Sequence, residues 1–425
     1  MRKKIDLLLS SVVIATTGLL LFPGCLKDRV TEHYQYVTPV YALKSTVLAQ
    51  INGNPAQTVS QSGQIYVKGS YIYLNDVDKG IHVIDNSDPS HPVQTAFLNI
   101  PGNENIAIRN NILYADMYGD LLTIDISDVH HAKILSALWG FFTSRSYGLD
   151  SNYVVTSWAI RDTVVKVAGG IGMPVPVIGT PYYTFYGVPA AAAAAYFSNS
   201  AQASTGTGGS EAVMTLVGNY LYAIPEPHSL GVVDVRDSMN PKQVQTSVGG
   251  LDLETIFPIQ NKLLVGSKEG VYVYSISNAA QPVQVGEFTH GTACDPVIAN
   301  SKYAYVTLRS GTYCGGSANE LDVLDAQDVS NTTMLGSYPM TSPSGLCLDG
   351  TLLFVCDSTV VRVFDASNPA QLKALSTVSI LSPEDVIAGN NLLLVVAADG
   401  LHEYDYTDPS DLRSLGSFLI NTKKS

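Results

Sequence analysis

The feature that most constrains this chain is a two-part signature that returns at a fixed period. A turn followed by an apolar strand occurs at "GSYIYL" (Ser70), "NNILYA" (Asn111), "SNYVVT" (Asn152) and "GNYLYA" (Asn219), then at "NKLLVG" (Lys262), "SKYAYV" (Lys302), "GTLLFV" (Thr351) and "NNLLLV" (Asn391). The spacings are 41, 41, 67, 43, 40, 49 and 40, so five of seven lie between 40 and 43. A second column follows about 14 residues after the anchors and holds Asp85, Asp125, Asp234, Ser275, Asp365 and Asp405, with Lys166 in the third unit and Asp325, displaced by a short insertion, in the sixth. Two columns that share one period mark an internal repeat.

Each unit parses into four short strands. In the first they are 64–68, 71–75, 80–84 and 93–100. They are rich in Val, Ile, Leu and Tyr, which suit a half-buried pleated surface. Gly, Asn, Asp and Ser separate them. Four strands in about 40 residues, repeated, predict an all-β chain folded as a β-propeller of four-stranded blades. Counting anchors predicts eight blades, at about 63–102, 103–142, 143–209, 210–250, 251–293, 294–342, 343–382 and 383–425. Seven is the alternative, if the third unit is not a blade.

The second column sits in stretches such as "GIHVIDNSDPSHPV" (80–93) and "VVRVFDASNPAQL" (360–372). Asp and Asn side chains accept hydrogen bonds from backbone N–H groups two residues on, and Pro then ends the ladder. Asp88 and Asp328 are weighed as calcium ligands, but the D-x-D-x-D density of a calcium loop is missing. With "LLTIDISD" (121–128), these stretches resemble the LVIVD repeat of bacterial and archaeal surface proteins. The resemblance spans roughly 63–425. It implies a propeller on an exported protein, with no reaction and no catalytic residue attached.

The chain opens "MRKKIDLLLSSVVIATTGLLLFPGC". A basic start, an apolar run over 7–22 and a small residue before Cys25 describe a secretory signal. A Cys at the cut resembles a bacterial lipoprotein signal, with Cys25 lipidated, 1–24 removed and 25–62 left as a linker. "CLKDRV" resembles the export signals of surface lipoproteins in the Bacteroidetes group, which implies a lipid-anchored outer-membrane protein, in one version facing the exterior. Such an anchor tethers and does not span. Removing Arg2, Lys3, Lys4 and Asp6 leaves 21 basic against 36 acidic residues, a net charge of −15. That field repels nucleic acid. The partners expected are the membrane, through the anchor, and a protein or carbohydrate.

No catalytic constellation emerges. G-x-S-x-G, the P-loop and the dinucleotide fingerprint are missing, and Gly169-Gly170-Ile171-Gly172 lacks the strand–turn–helix setting of a phosphate loop. Neither cofactor nor metal is expected, and calcium is the one ion considered. His130 and His131 read as a solvated turn. The stretch 169–209 reads as an insertion, with a short helix from Pro189 towards Asn199 and a Gly/Ser-rich tail. Cys294 and Cys314 fall on loops of one blade face and are expected to form a disulfide, while Cys347 and Cys356 are out of register and pack as small hydrophobes.

The strand that opens each blade lines the channel of a propeller. Counting back from each anchor puts Glu104, Arg145, Glu211, Glu254, Asp295, Glu384 and the adjacent Asp385 at one mouth. A ring of like charge there would focus field on a cation or a basic ligand. Solvent-exposed loop ends would carry acids as well. The functional expectation is an envelope binding scaffold. The alternative is a lactonase- or lyase-like propeller enzyme acting at that mouth.

Overall fold

The computed structural model describes residues 29–145, 152–168, 207–210, 212–248, 252–289, 296–312, 315–328 and 332–419. Among them the strands form seven antiparallel blades: 62–99, 106–138, 214–248, 253–289, 297–339, 343–379 and 383–419. Blade one is widened by the strand Gly53–Asn54 on its outer edge and by Thr207–Gly208 on its inner edge. Each blade packs against the next, and blade seven returns to blade one through strands Leu392–Ala397 and Ser62–Lys68.

The blades are built alike because their sequences repeat the same local instructions. The second strand of each is nearly all apolar and sealed, as in Tyr71–Asp76 and Leu352–Asp357. Ile72, Leu74, Leu353, Phe354 and Val355 are fully buried between neighbouring blades. At the end of the third strand the column residue accepts from the backbone N–H two residues on. The distances are 2.9 Å at Asp85, 2.8 Å at Asp125, 3.1 Å at Asp234, 3.3 Å at Ser275, 3.0 Å at Asp325, 2.9 Å at Asp365 and 2.8 Å at Asp405. A β-bulge then offsets the fourth strand in every blade, in blade one between Val83 and Ile84. Bulges of this kind sharpen the twist of an edge strand.

The turn after the column docks backwards. In blade six the Pro369 carbonyl accepts from the Tyr338 hydroxyl of blade five at 3.3 Å, and in blade seven Pro409 accepts from Ser376 of blade six at 2.8 Å. Ala279 of blade four, at the same turn position, accepts from Tyr222 of blade three at 2.7 Å. At the seam, Gly416 of blade seven lies so near the Pro89 carbonyl of blade one that a Cβ would meet it at 2.5 Å. The repeat motif is therefore a joint between blades as well as a stop signal for its own strand.

The count of eight is corrected to seven. The third unit is no blade: its strand Tyr153–Ala168 pairs with Arg29–Leu43 in a separate two-stranded sheet. In the sequence, Lys166 takes the position that the turn-capping residue holds in the blades. The parts of this sheet before Tyr41 and after Thr156 belong to a compact unit of their own. Within that unit the Thr38 hydroxyl donates to the Ala159 carbonyl at 3.3 Å. No helix among the described residues is long and apolar enough to cross a membrane. The expected signal segment and Cys25, and residues 169–206 of the expected insertion, lie outside the described residues.

Candidate binding site at the channel mouth

In each blade the first strand starts, and the fourth ends, at the same face of the ring. Glu104, Glu254 and Glu384 each lie two residues ahead of Ile106, Ile256 and Val386, which pair with Ala115, Val265 and Val395 on equivalent rungs. They therefore share one structural column at that face, and all three are half-buried. Asp385 is in the next column and is buried. Glu211, Asp295, Cys294 and Cys314 lie outside the described residues. Cys347 and Cys356 are fully buried in the core.

Arg145 reaches the mouth by another route. Residues 141–145 leave blade two and cross its face, ending in the 3-10 turn Thr143–Arg145. Phe141 and Phe142 are buried and pack edge to face at 4.9 Å. The Phe142 N–H donates to the Gly119 carbonyl at 2.9 Å, and Ser144 donates to the Pro225 carbonyl of blade three at 3.1 Å. So fixed, the Arg145 guanidinium meets Asp78 of blade one at 2.9 Å and Glu104 and Asp116 of blade two at 3.0 and 2.5 Å. It also stands over the Tyr118 ring at 5.3 Å.

Beneath this hub is a sealed polar network. Asn75 donates to the Asn103 side chain at 2.8 Å, Asn103 donates to Asp116 Oδ1 at 2.8 Å, and Asn105 donates to Asp116 Oδ2 at 3.0 Å. The Glu104 and Asn105 backbone N–H groups also donate to Asp116, at 2.9 and 2.8 Å. Gln64 of blade one donates to Asn105 at 3.1 Å. Asn75, Asn103 and Asp116 have no solvent exposure. Such a connected buried network rigidifies what sits on it.

Three carboxyls of this face are raised by burial. Burial pushes Glu104 up to about 7, with Arg145 pulling down and Asp116 and Asp78 pushing up. Burial likewise pushes Glu384 up to about 7, against the pull of Arg309. Burial also raises Asp385 well above its ordinary value. The expected ring of like charge is thus partly neutralised by Arg145 and Arg309.

The channel behind the mouth contains the protein's own chain. Thr207 and Gly208 pair with Val67 and Tyr66 on the inner edge of blade one. Fully buried Ser210 accepts from the Leu346 N–H on the inner strand of blade six at 3.2 Å. A Cβ at Gly208 would press on the Tyr66 ring at 3.1 Å, so glycine lets this segment lie against the wall. Away from the mouth, an apolar cleft lies between blades four and five, lined by Phe288, Ala304, Leu324 and Thr332. There the pair Ala304–Leu324 takes the rung that Leu353–Phe364 fills in blade six.

Sequence counting missed Asp78, Asp116, Arg309 and Ser210. A third polar column at the end of the second strand (Asn75-Asp76, Asp116, Ser267, Asp357) was the available signal for Asp116. The His130–His131 turn is exposed, its His131 ring on Asp128 at 2.7 Å, and Asp88 serves its turn by accepting from the Ser90 N–H at 3.0 Å.

Residues 61–96, which take in most of blade one, match the LVIVD repeat family. The chain is a β-propeller whose first blade carries an LVIVD repeat. No curated protein matches it. Solved structures share the propeller fold at low identity. A computationally designed protein, Ika8, is 11% identical with TM-score 0.52, covering 86% of this chain and 91% of that one. A Lactobacillus plantarum protein is 13% identical with TM-score 0.53, covering 84% and 96%. A periplasmic gluconolactonase of Pseudomonas aeruginosa is 14% identical with TM-score 0.50, covering 85% and 97%. These likenesses concern the fold alone.

Proposed function

We propose that this LVIVD-repeat propeller is a lipid-anchored protein of the outer membrane that works as a binding scaffold, meeting a basic segment of a partner protein at the strand-start face. The Arg145 hub carries the reading. Side chains from two blades, and a segment braced on a third, are fixed at the mouth by a buried network. The chain at 207–210 occupies the channel behind it. Recognition therefore falls to the mouth, where Glu254 and Glu384 remain on the same column. The formal charge of −13 on the full chain favours a cationic partner. The basic start, the apolar run and Cys25 support the anchor.

The test is calorimetric titration of the mature protein with calcium and with a Lys/Arg-rich peptide. The expected result is salt-sensitive peptide binding that weakens several-fold in a Glu254→Gln, Glu384→Gln double variant. No heat at millimolar ligand would remove the mouth as a cation or basic-ligand site.

The rival reading is a lactonase- or lyase-like enzyme at the same mouth. Its support is the pair Glu104 and Glu384, each pushed up to about 7, where general acids and bases work well. Turnover of sugar lactones that Glu384→Gln abolishes would favour it.

A further inference from the structure

The seam where the ring closes holds an unusual polar pair. The four main strands of blade one and those of blade seven are each contiguous in the chain, and among the described residues the two blades exchange no strand. Their joint is made by contacts such as Ser62 Oγ donating to the Ala397 carbonyl at 3.1 Å. Deeper in the seam, Glu403 on the strand Gly400–Asp405 is fully buried. It faces Asn86, which follows the strand Gly80–Asp85 of blade one and is 8% exposed. Asn86 Nδ2 donates to Glu403 Oε2 at 2.8 Å. The other two oxygens of the pair, Glu403 Oε1 and Asn86 Oδ1, are buried and make no hydrogen bond.

An ionised carboxylate leaves both oxygens stranded, because each only accepts. Stranded buried acceptors cost about 1–3 kcal/mol each. One proton on Oε1 would satisfy both atoms. We propose that Glu403 is a neutral carboxylic acid in the folded protein and forms a cyclic acid–amide pair with Asn86 across the seam. In it Glu403 Oε1–H donates to Asn86 Oδ1, while Asn86 Nδ2 donates to Glu403 Oε2.

The surroundings agree. Burial pushes the Glu403 carboxyl up to about 7; the Asn86 N–H opposes this, and the Asp88 charge on the same turn reinforces it. The rungs opposite Glu403 are Leu394 and Gly416, neither charged. Along its own strand, His402 is engaged by Asp399 at 2.8 Å and Asp405 by Arg413 at 2.8 Å. The folded value is raised, so this contribution to stability is complete below the unfolded glutamate value, near ~4.3, and is lost as pH rises through about 7.

Denaturant titrations of the wild type and Glu403→Gln between pH 5 and 7 test the pair. Glutamine offers an N–H to Asn86 Oδ1 at every pH, so the variant isolates this group from Glu104 and Glu384. The wild-type folding constant, relative to that of the variant, should fall on the order of fortyfold across that range. A ratio that stays flat or rises, or a variant that does not fold at pH 5, overturns the proposal. On the wild type alone, the carboxyl carbon of Glu403 in the nuclear magnetic resonance spectrum should titrate near neutrality. A carbon already ionised at pH 5.5 overturns it equally.

Discussion

At the scale of single residues, Arg145 carries more than any other side chain of the mouth. It joins Asp78, Glu104 and the sealed Asp116, and keeps only 15% of its side-chain exposure. Removing one partner from a buried ionic cluster leaves the others uncompensated, which typically costs about 3–5 kcal/mol. Arg145→Ala should therefore lower the urea midpoint markedly, and adding Glu104→Gln should restore part of the loss. A double variant no more stable than the single would mean that the carboxylates do not repel through the vacated site. Arg145 was legible in the sequence for a reason the structure does not share. Counting back from Asn152 assumed a blade that does not exist, whereas the residue arrives on a 3-10 turn after blade two. Asp78 and Asp116 were not legible together, because one sits in a turn and the other at a strand end. Only the packing of blade one on blade two makes them neighbours.

At the scale of elements, the turn after the third strand decides what counts as a blade. Two columns recurred in the sequence, and they disagreed in the third unit. The anchor column reports only a turn and an apolar strand, which the separate strand Tyr153–Ala168 also supplies. The Asp column reports a turn that docks on the preceding blade, so its seven occupied positions match the seven blades. The joint can be tested at Tyr338, whose hydroxyl donates to Pro369 at 3.3 Å and accepts from the Leu372 N–H at 2.9 Å. Tyr338→Phe should cost about 1–2 kcal/mol by thermal or urea unfolding, since a half-buried N–H and carbonyl both lose their partner. Blade four carries Phe288 on that rung, and the cleft between blades four and five opens beside it. An unchanged stability in Tyr338→Phe would show that apolar burial alone holds the blades together.

At the scale of the whole propeller, the segment 207–210 was hidden from sequence reasoning. "GTGGS" reads as flexible linker, and only the finished ring turns its small residues into a fit. Ser210→Ala removes the acceptor from the buried Leu346 N–H and should cost about 1–3 kcal/mol. Hydrogen exchange gives the sharper readout: the Leu346 amide should lose protection while the amides of blade two keep theirs. Equal loss everywhere would indicate general destabilisation.

The same segment imposes an order on assembly. It contacts the inner walls of blades one and six, so its own contacts are complete only once both of those blades are in place. The chain emerges from synthesis with blade one first and blade seven last, and 207–210 appears between them. The last blade can therefore shut the circle around a segment already laid along the inner wall of the first. The seam beside Glu403 is in that sense a gate in time: whatever delays blade seven extends the interval in which the interior is still open.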